Sequence, residues 1–480
     1  MLYGQNRKSF TSVCHGQLGR YVIYSNAKEI TRDNITQELG KALAIHWSNR
    51  REIEYLDRYY RGDQPIIYRE KKVRPEINNK IVENRAFEIV EFFTAQDFGE
   101  PIQYVRRGTD ENVSTLINRL NDFMFSEDKG AHDIELGRWR NICGTGYRLV
   151  YNDTFADIEM DEAPFGLETL DPRFVFVVYS SGAGKRPLYS VQQVKDEYDV
   201  DKYIIKTRNK KFIIQNGKII SENPNYLGIN VIEYPLNERR IGRLEVVVTI
   251  LDAINKTQSD RLNGVEQFIQ AFMKFVNCEI DKETFLEMVS LGALNVKTVN
   301  PSMPADVSMV SSQLDQSQTQ VSKDDLITAI RDVLGMPSRE GNTGGDTGQA
   351  VYLRNGWDFA EGRAELDEPI FQKSERNSLR VVLKILDGKT DIRLKLSDIE
   401  IKVTRSKTDN MQLKSQVLNL LLTSGVEPDR AFKTCNLWSD PEEAYVESKP
   451  YLDAKYKTKD QIDSEAAVNK PPPEGDGTVD

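Results

Sequence analysis

Chemically specialised residues are scarce in this 480-residue chain. It has four cysteines, Cys14, Cys143, Cys278 and Cys435, spread along its length without a Cys-x-x-Cys pair. That argues against a disulfide framework and a cysteine-based zinc site. His15, His46 and His132 are too dispersed for a multi-histidine metal centre. No apolar run approaches the ~18–20 residues of a membrane span; Val246–Ile250 and Leu418–Leu422 are among the longest. The first ten residues are polar and carry no secretory signal, so a reducing compartment is expected.

Nucleotide motifs are broken too. Ser181-Gly182-Ala183-Gly184-Lys185 looks like the end of a phosphate-binding loop. Tyr179 stands where that motif needs its first glycine, however, and Arg186 stands where it needs a magnesium-binding hydroxyl. Gly144-Thr145-Gly146 lies between a predicted helix and a predicted strand, the reverse of the dinucleotide-binding order. Both read as turns. No catalytic residue, metal or cofactor is expected, and the composition leans away from an enzyme.

What is present is charge. Lys and Arg total 64 against 74 Asp and Glu, a formal net charge of −10, and apolar residues make up only 39%. The acidity argues against a generic basic nucleic-acid binder. The low apolar share suggests an extended shape or faces reserved for partners.

Periodicity predicts helices over about 35–62, 78–98, 110–126 and 131–143, and short strands through 150–235. Asn216-Gly217 marks a hairpin. On the helix at 131–143, Trp139 is expected to face inward with Arg138 and Arg140 outward. A sustained stripe from Leu244 through Leu251, Leu262, Val265, Ile269 and Phe272 to Val276 predicts a helix of roughly 30 residues, or about 45 Å. Such a helix must pack along another long element or a neighbouring subunit. Strands are expected around 277–280, 294–299 and 307–310, with a short helix over 282–290 between the first two and a polar run over 311–320. A helix follows over 323–334, then the glycine-rich segment 338–349. Another long helix is expected over 349–387, with Gly356, Gly362 and Pro369 inside it as sources of kinks. One or two strands over 392–404 and helices near 408–423, 427–436 and 440–449 complete the ordered part. The last ~20 residues, with Pro471-Pro472-Pro473, read as disordered.

The order of several blocks carries a resemblance. Asn78-Asn79-Lys80-Ile81-Val82, then Phe98-Gly99-Glu100-Pro101-Ile102, Gly144-Thr145-Gly146-Tyr147, Leu170-Asp171-Pro172-Arg173 and Leu251–Asp260 together resemble the portal proteins of tailed, siphovirus-like bacteriophages. The resemblance covers about residues 40–450. It implies an α+β subunit with an α/β wing, a long helical stem, a small α/β clip and an α-helical crown. Wing would be 1–240 with 350–405, the latter including a tunnel helix. Stem would be 241–275 with a second helix at 322–337, clip 276–321, tunnel loop 338–349, crown 406–460 and disordered tail 461–480.

The family's function would make the chain a ring of about twelve subunits at one capsid vertex. Double-stranded genomic DNA would enter and leave through the ring without sequence preference. Partners implied are the terminase large subunit, head–tail connector proteins, and the major capsid and scaffolding proteins. The setting would be the virion, after assembly in the host cytoplasm, with no membrane. An acidic bore suits a conduit, because duplex DNA carries one charge per ~1.7 Å and a cationic lining would hold it.

Candidate site residues follow. Arg339, Asn342, Thr343, Gly344, Gly345 and Thr347 belong to the tunnel-loop segment. Its single arginine, balanced by Glu340 and Asp346, points to steric or backbone contact with DNA. Arg69, Lys71, Lys72 and Arg74 form the tightest basic group and are candidates for phosphate contact. Leu251, Leu262, Val265, Ile269 and Phe272 are expected to pack stem against stem between subunits. Two other readings stand beside this one: a capsid adaptor or scaffold without a channel, and a packaging ATPase, which would need the absent Walker motifs.

Overall fold

The fold was analysed in a computed structural model, which describes residues 18–72, 74–108, 111–269, 272–279, 283, 297–300, 303–304, 306–310, 316–337, 356–403, 411–435, 437–438 and 441–455. The chain opens with strand β1 (Ile23–Ser25) and helix α1 (Ile35–Tyr60). Helix α2 (Arg85–Phe98), strand β2 (Gln103–Arg106) and helices α3 (Glu111–Ser126) and α4 (Lys129–Cys143) follow. Eight strands come next: β3 (Thr145–Asn152), β4 (Phe165–Leu170), β5 (Val175–Ser180), β6 (Pro187–Lys195), β7 (Asp201–Thr207), β8 (Lys210–Gln215), β9 (Lys218–Pro224) and β10 (Val231–Pro235). The second half runs α5 (Arg243–Ile269), β11 (Phe272–Val276), β12 (Cys278–Glu279), β13 (Lys297–Thr298), β14 (Asp306–Val310), α6 (Gln316–Leu334), α7 (Trp357–Lys389), β15 (Ile399–Lys402), α8 (Met411–Thr423), α9 (Pro428–Cys435) and α10 (Pro441–Lys455). The architecture is mixed helix and sheet, as expected.

Two sheets organise the first half. One is six-stranded, in the order β1-β5-β6-β7-β8-β9, antiparallel except where β1 joins β5 in parallel. Its β8–β9 turn is Asn216-Gly217 with φ of 50° and 71°, the left-handed pair that an Asn-Gly hairpin requires. The other sheet is three-stranded, β10-β3-β4. Helix α1 serves two cores. Its first half buries Ile35, Leu39 and Ala42 against the six-stranded sheet, beside Phe176, Tyr189 and Ile205. Its second half buries Ile53, Leu56 and Tyr59 against α2, α4, α5 and α6. A third core places α3 and α7 over the three-stranded sheet and the β2–β15 pair, around Phe98, Leu120, Phe165, Tyr234, Phe371 and Val382.

Several elements depart from the expected pattern. The helix predicted from residue 78 begins at Arg85, because residues 78–84 are extended. The backbone N–H groups of Asn79, Ile81 and Glu83 are taken by side chains of α5, so they cannot enter a helix. The long helix ends at Ile269, and Phe272–Val276 pairs antiparallel with Asp306–Val310. Phe272 is therefore a strand residue. Its non-local strand partner is invisible to a periodicity count. Helix α7 starts at Trp357 behind a left-handed Gly356 and continues through Pro369. The polar run holds the first turn of α6, from Gln316. Within 392–403 one strand forms, Ile399–Lys402, within the one or two expected. β1 was not anticipated. The helix expected at 282–290 lies almost wholly outside the described residues, as does the tail.

Helix α4 ends at Gly144, φ 77°, where a left-handed residue closes the cap. A Cβ there would lie 2.1 Å from the Arg240 carbonyl oxygen, and one on Gly242 would lie 2.4 Å from the Ile142 carbonyl oxygen. The α4–β3 and β10–α5 connections thus cross backbone on backbone, and the Leu236 N–H donates to the Gly144 carbonyl at 2.9 Å.

Candidate functional site

The long helix α5 and its neighbour α6 form a pair, and the faces of α5 explain its surroundings. Leu244, Val247, Val248, Leu251 and Ile254 recur at helical spacing and are buried with Ile89, Val90, Phe93, Ile330 and Leu334. One stripe along, at i, i+4 and i+8, are Asn255, Ser259 and Asn263, all buried. They face the extended segment 78–84. Asn255 Oδ1 accepts the Glu83 N–H at 2.9 Å, Ser259 Oγ accepts the Ile81 N–H at 2.9 Å, and Asn263 Oδ1 accepts the Asn79 N–H at 2.8 Å. Alternate residues of a strand point the same way, and one helical turn spans a similar rise, so a polar helix stripe can serve every second N–H of an extended chain. The ladder continues sideways: Asn255 Nδ2 donates to Gln64 Oε1, whose amide nitrogen donates to the Tyr59 carbonyl at 3.1 Å. Lys323 of α6 closes the other side with an ion pair to Glu83 at 2.7 Å. The carboxyl of Glu83 lies below its usual range, since Lys323 and Arg85 outweigh the upward push of burial.

Arg69 belongs to this seam. Its guanidinium donates to Asn78 Oδ1 at 3.2 Å, to Asp260 of α5 at 2.8 Å and to the Asn79 carbonyl at 2.9 Å. Lys71 Nζ caps the Ile77 carbonyl at 3.2 Å. Arg74 sits at φ 52°, and Lys72 is exposed. Of the basic group expected to contact phosphate, Arg69 is thus tied to the helix and Lys71 to the segment itself.

The predicted stem stripe divides. Leu251 is only 2% exposed within a single subunit, which leaves it no surface for a neighbour. Leu262 is 38% exposed and Val265 half-buried, so the free apolar face lies toward the far end of α5. Ile269 is the last residue of the helix.

The profile described as "Phage portal protein, SPP1 Gp6-like" matches residues 39–449 of this sequence. The chain belongs to the phage portal protein family. No curated protein matches it. Among solved structures, a chain in the "Neck of empty GTA particle computed with C6 symmetry" is similar at 11% identity and a TM-score of 0.42, covering 72% of this chain and 88% of that one. Another, in the "Virion of native gene transfer agent (GTA) particle", has 11% identity and a TM-score of 0.39, covering 71% and 85%.

In this portal chain the segment with Arg339, Asn342, Thr343, Gly344, Gly345 and Thr347 lies outside the described residues, as do residues 350–355; the described chain stops at Pro337 and resumes at Gly356. On one side Gly335 is left-handed, φ 68°, and packs against Phe359. The Arg363 guanidinium donates to the Val333 carbonyl at 2.7 Å. On the other side Trp357 rests on Phe92, with ring centroids 6.1 Å apart. Gly335 and Trp357, which bracket the undescribed stretch, thus both pack against described core elements. The phosphate-loop-like run at 181–185 is the turn between strands β5 and β6. Among the described residues, no helix is long and apolar enough to cross a membrane.

Sequence reasoning missed a second group, beneath α7. Lys129, Asp133, Arg148 and Glu375 are all buried and sum to zero charge. Lys129 pairs with Asp133 at 2.6 Å and Glu375 at 3.2 Å; Arg148 pairs with Asp133, and with Glu375 at 3.4 Å. Tyr104 and Tyr234 donate to Glu375 at 2.5 and 2.6 Å. Burial would push the Glu375 carboxyl up, but Lys129, Arg148 and the two hydroxyls hold it well below the usual range. Arg140 corrects another expectation. It faces inward, 3% exposed, with its guanidinium over Phe371 at 5.1 Å and Phe98 at 5.7 Å. Asp97 and Asp367 lie in the same cleft and are bridged by Arg243 at 3.0 and 2.9 Å, which draws a cation inward where the sequence suggested solvent. Arg138 is the outward partner, paired with Glu91 at 2.9 Å.

Proposed function

We propose that this portal protein forms a ring of about twelve copies at one capsid vertex, the passage for double-stranded DNA during packaging and ejection. Family membership over residues 39–449 is the observation that carries the reading. In this assignment α5 and α6 are the stem, the strands from β11 to β14 are the clip, and 338–349 is the tunnel loop. Residues 1–240 with 350–405 form the wing, and 406–460 the crown. The terminase large subunit and head–tail connector proteins would dock on the ring in turn, and the major capsid and scaffolding proteins would surround it. The protein would act as a structural part of the virion, assembled in the host cytoplasm, without catalysis or cofactor.

The exposed apolar far end of α5 supports a stem completed by neighbours. Leu262, left 38% exposed on a long helix, is the side chain such a contact would cover. Electron microscopy of the purified protein tests the reading. Closed rings with an axial hole are expected, and Leu262→Asp should abolish them by burying an unpaired charge. Monomers or open sheets from the unaltered protein under all conditions would refute the ring.

A further inference from the structure

Beyond Pro369, the solvent face of α7 follows the helical period through Lys373, Arg376, Arg380 and Lys384, each exposed. The opposite face, with Ser374, Glu375, Ser378, Leu379, Val382 and Leu386, is buried. The four cations lie within twelve residues, eleven steps or about 16 Å at 1.5 Å per residue. Glu375, the one carboxylate on that stretch of helix, is consumed by Lys129 and Arg148 on the buried side.

Some surface cations elsewhere have acidic partners. Arg85 pairs with Glu88 at 2.9 Å, Lys210 with Glu222 at 2.7 Å, and Lys433 with Asp429 at 3.0 Å. In the α7 row, Arg380 donates to Asn377 Oδ1 at 2.6 Å and Lys384 donates to the Tyr226 carbonyl. Both partners are neutral. Lys373 and Arg376 have no polar partner among the described residues. The row ends at Asp387, which pairs with Arg393 at 2.8 Å. Like charges three and four residues apart disfavour a helix by a few tenths of a kcal/mol each. A chain of net charge −10 nevertheless keeps four of them in line.

We propose that this row is a docking strip for the phosphate backbone of duplex DNA. The assignment rests on the portal reading only for bringing DNA to the protein. The chemistry of the strip favours nucleic acid over a protein partner. Protein interfaces favour arginine but are depleted of lysine and centred on aromatic and apolar side chains, and no exposed apolar residue interrupts this row. Interfaces with DNA are polar and strongly cationic. A strip about 16 Å long faces roughly five phosphates of one strand at 3.4 Å each, enough for four cations. Such contact is independent of sequence and labile to salt, so it can hold DNA against the protein without fixing it. In a ring the strip repeats in every subunit, and the sum is an avidity that single copies lack.

The test is a salt titration of the assembled protein with a duplex oligonucleotide. Neutralising four phosphates gives a log–log slope of about −3.6, so affinity should fall roughly 10²-fold between 50 and 200 mM salt. The variant Lys373→Gln/Arg376→Gln/Arg380→Gln/Lys384→Gln should lose that slope and bind at least about ten-fold more weakly at low salt. Lys195→Gln/Lys210→Gln, two exposed cations on the six-stranded sheet, should leave both unchanged. Equal binding and slope in the four-site variant would overturn the proposal. So would loss of assembly in that variant, which would make the row a subunit contact, or binding of polyglutamate without duplex DNA, which would assign it to an acidic protein. A chain that forms no ring refutes the proposed ring and not the strip, because the same titration is then run on the species that elutes.

Discussion

Two buried polar systems hold long helices in this protein, and they work differently. Beneath α7, four full charges and two tyrosines converge on Glu375. Along α5, three neutral side chains accept backbone N–H groups from the extended segment 78–84. The first system is costly to dehydrate and strong only when complete, so it fixes one orientation of α7 against the sheet. The second satisfies groups that would otherwise be buried without partners, and its three acceptors carry no charge, although the Glu83–Lys323 and Arg69–Asp260 pairs flank them. Charge fixes a helix on a sheet in one case; two neutral amides and a hydroxyl join an extended segment to a helix in the other.

The largest expected effect comes from breaking the charged side. Glu375→Ala leaves Lys129 and Arg148 short of a counter-charge in the core and should cost about 3–5 kcal/mol, read from the urea midpoint. A loss below about 1 kcal/mol would mean that water or Asp133 replaces Glu375.

His46 sharpens the contrast in proton sensitivity. It stacks on Phe176 at 4.3 Å, its Nε2 lies 3.1 Å from the Arg173 carbonyl, and burial lowers its pKa from 6.5 to about 4. The unfolded chain therefore binds the extra proton first. Stability from the neutral ring is complete above pH 6.5 and is lost as the pH falls toward 4. At 1.36 kcal/mol per unit that loss is roughly 3 kcal/mol, and His46→Gln should flatten it. A variant with the same slope over that window would place the titration elsewhere.

Asn255→Ala tests the neutral side and should cost about 1–3 kcal/mol, because the Glu83 N–H and Gln64 Oε1 lose their partner. The loss should be the same at pH 8 and pH 6. A loss that grows as the pH drops would show the seam leaning on Glu83 and Lys323 instead of its amides.

Much of this was legible in the sequence. Apolar period marked α1, α5 and most of α7, Asn216-Gly217 named its hairpin, and the order of blocks pointed to the portal family. What stayed hidden depends on contacts between distant residues. Phe272 looked like the next turn of a helix because its strand partner, Val310, is 38 residues away. Residues 78–84 looked helical because the side chains that capture their N–H groups lie on α5. Asn255, Ser259 and Asn263 do stand at helical spacing, and a search for polar stripes as well as apolar ones would have found them. Arg140 and Arg148 resemble surface arginines until Asp97, Asp367, Asp133 and Glu375 are brought beneath them. The phosphate reading of Arg69, Lys71, Lys72 and Arg74 followed local charge density, from which the pairing of Arg69 with Asp260 could not be read. The tunnel-loop residues remain an expectation drawn from the family alone.

The crossing at Gly144 and Gly242 bears on mechanics. Two connections meet there with no side chain between them: one leads from α4 into the three-stranded sheet, the other out of that sheet into α5. Side chains act as soft springs, since rotamers can give by an ångström at little cost, whereas carbonyls in van der Waals contact cannot. A push on α5 therefore reaches the sheet without slack, and a tilt of one is a tilt of the other. The glycines make the joint stiff by bringing the two backbones into direct bearing.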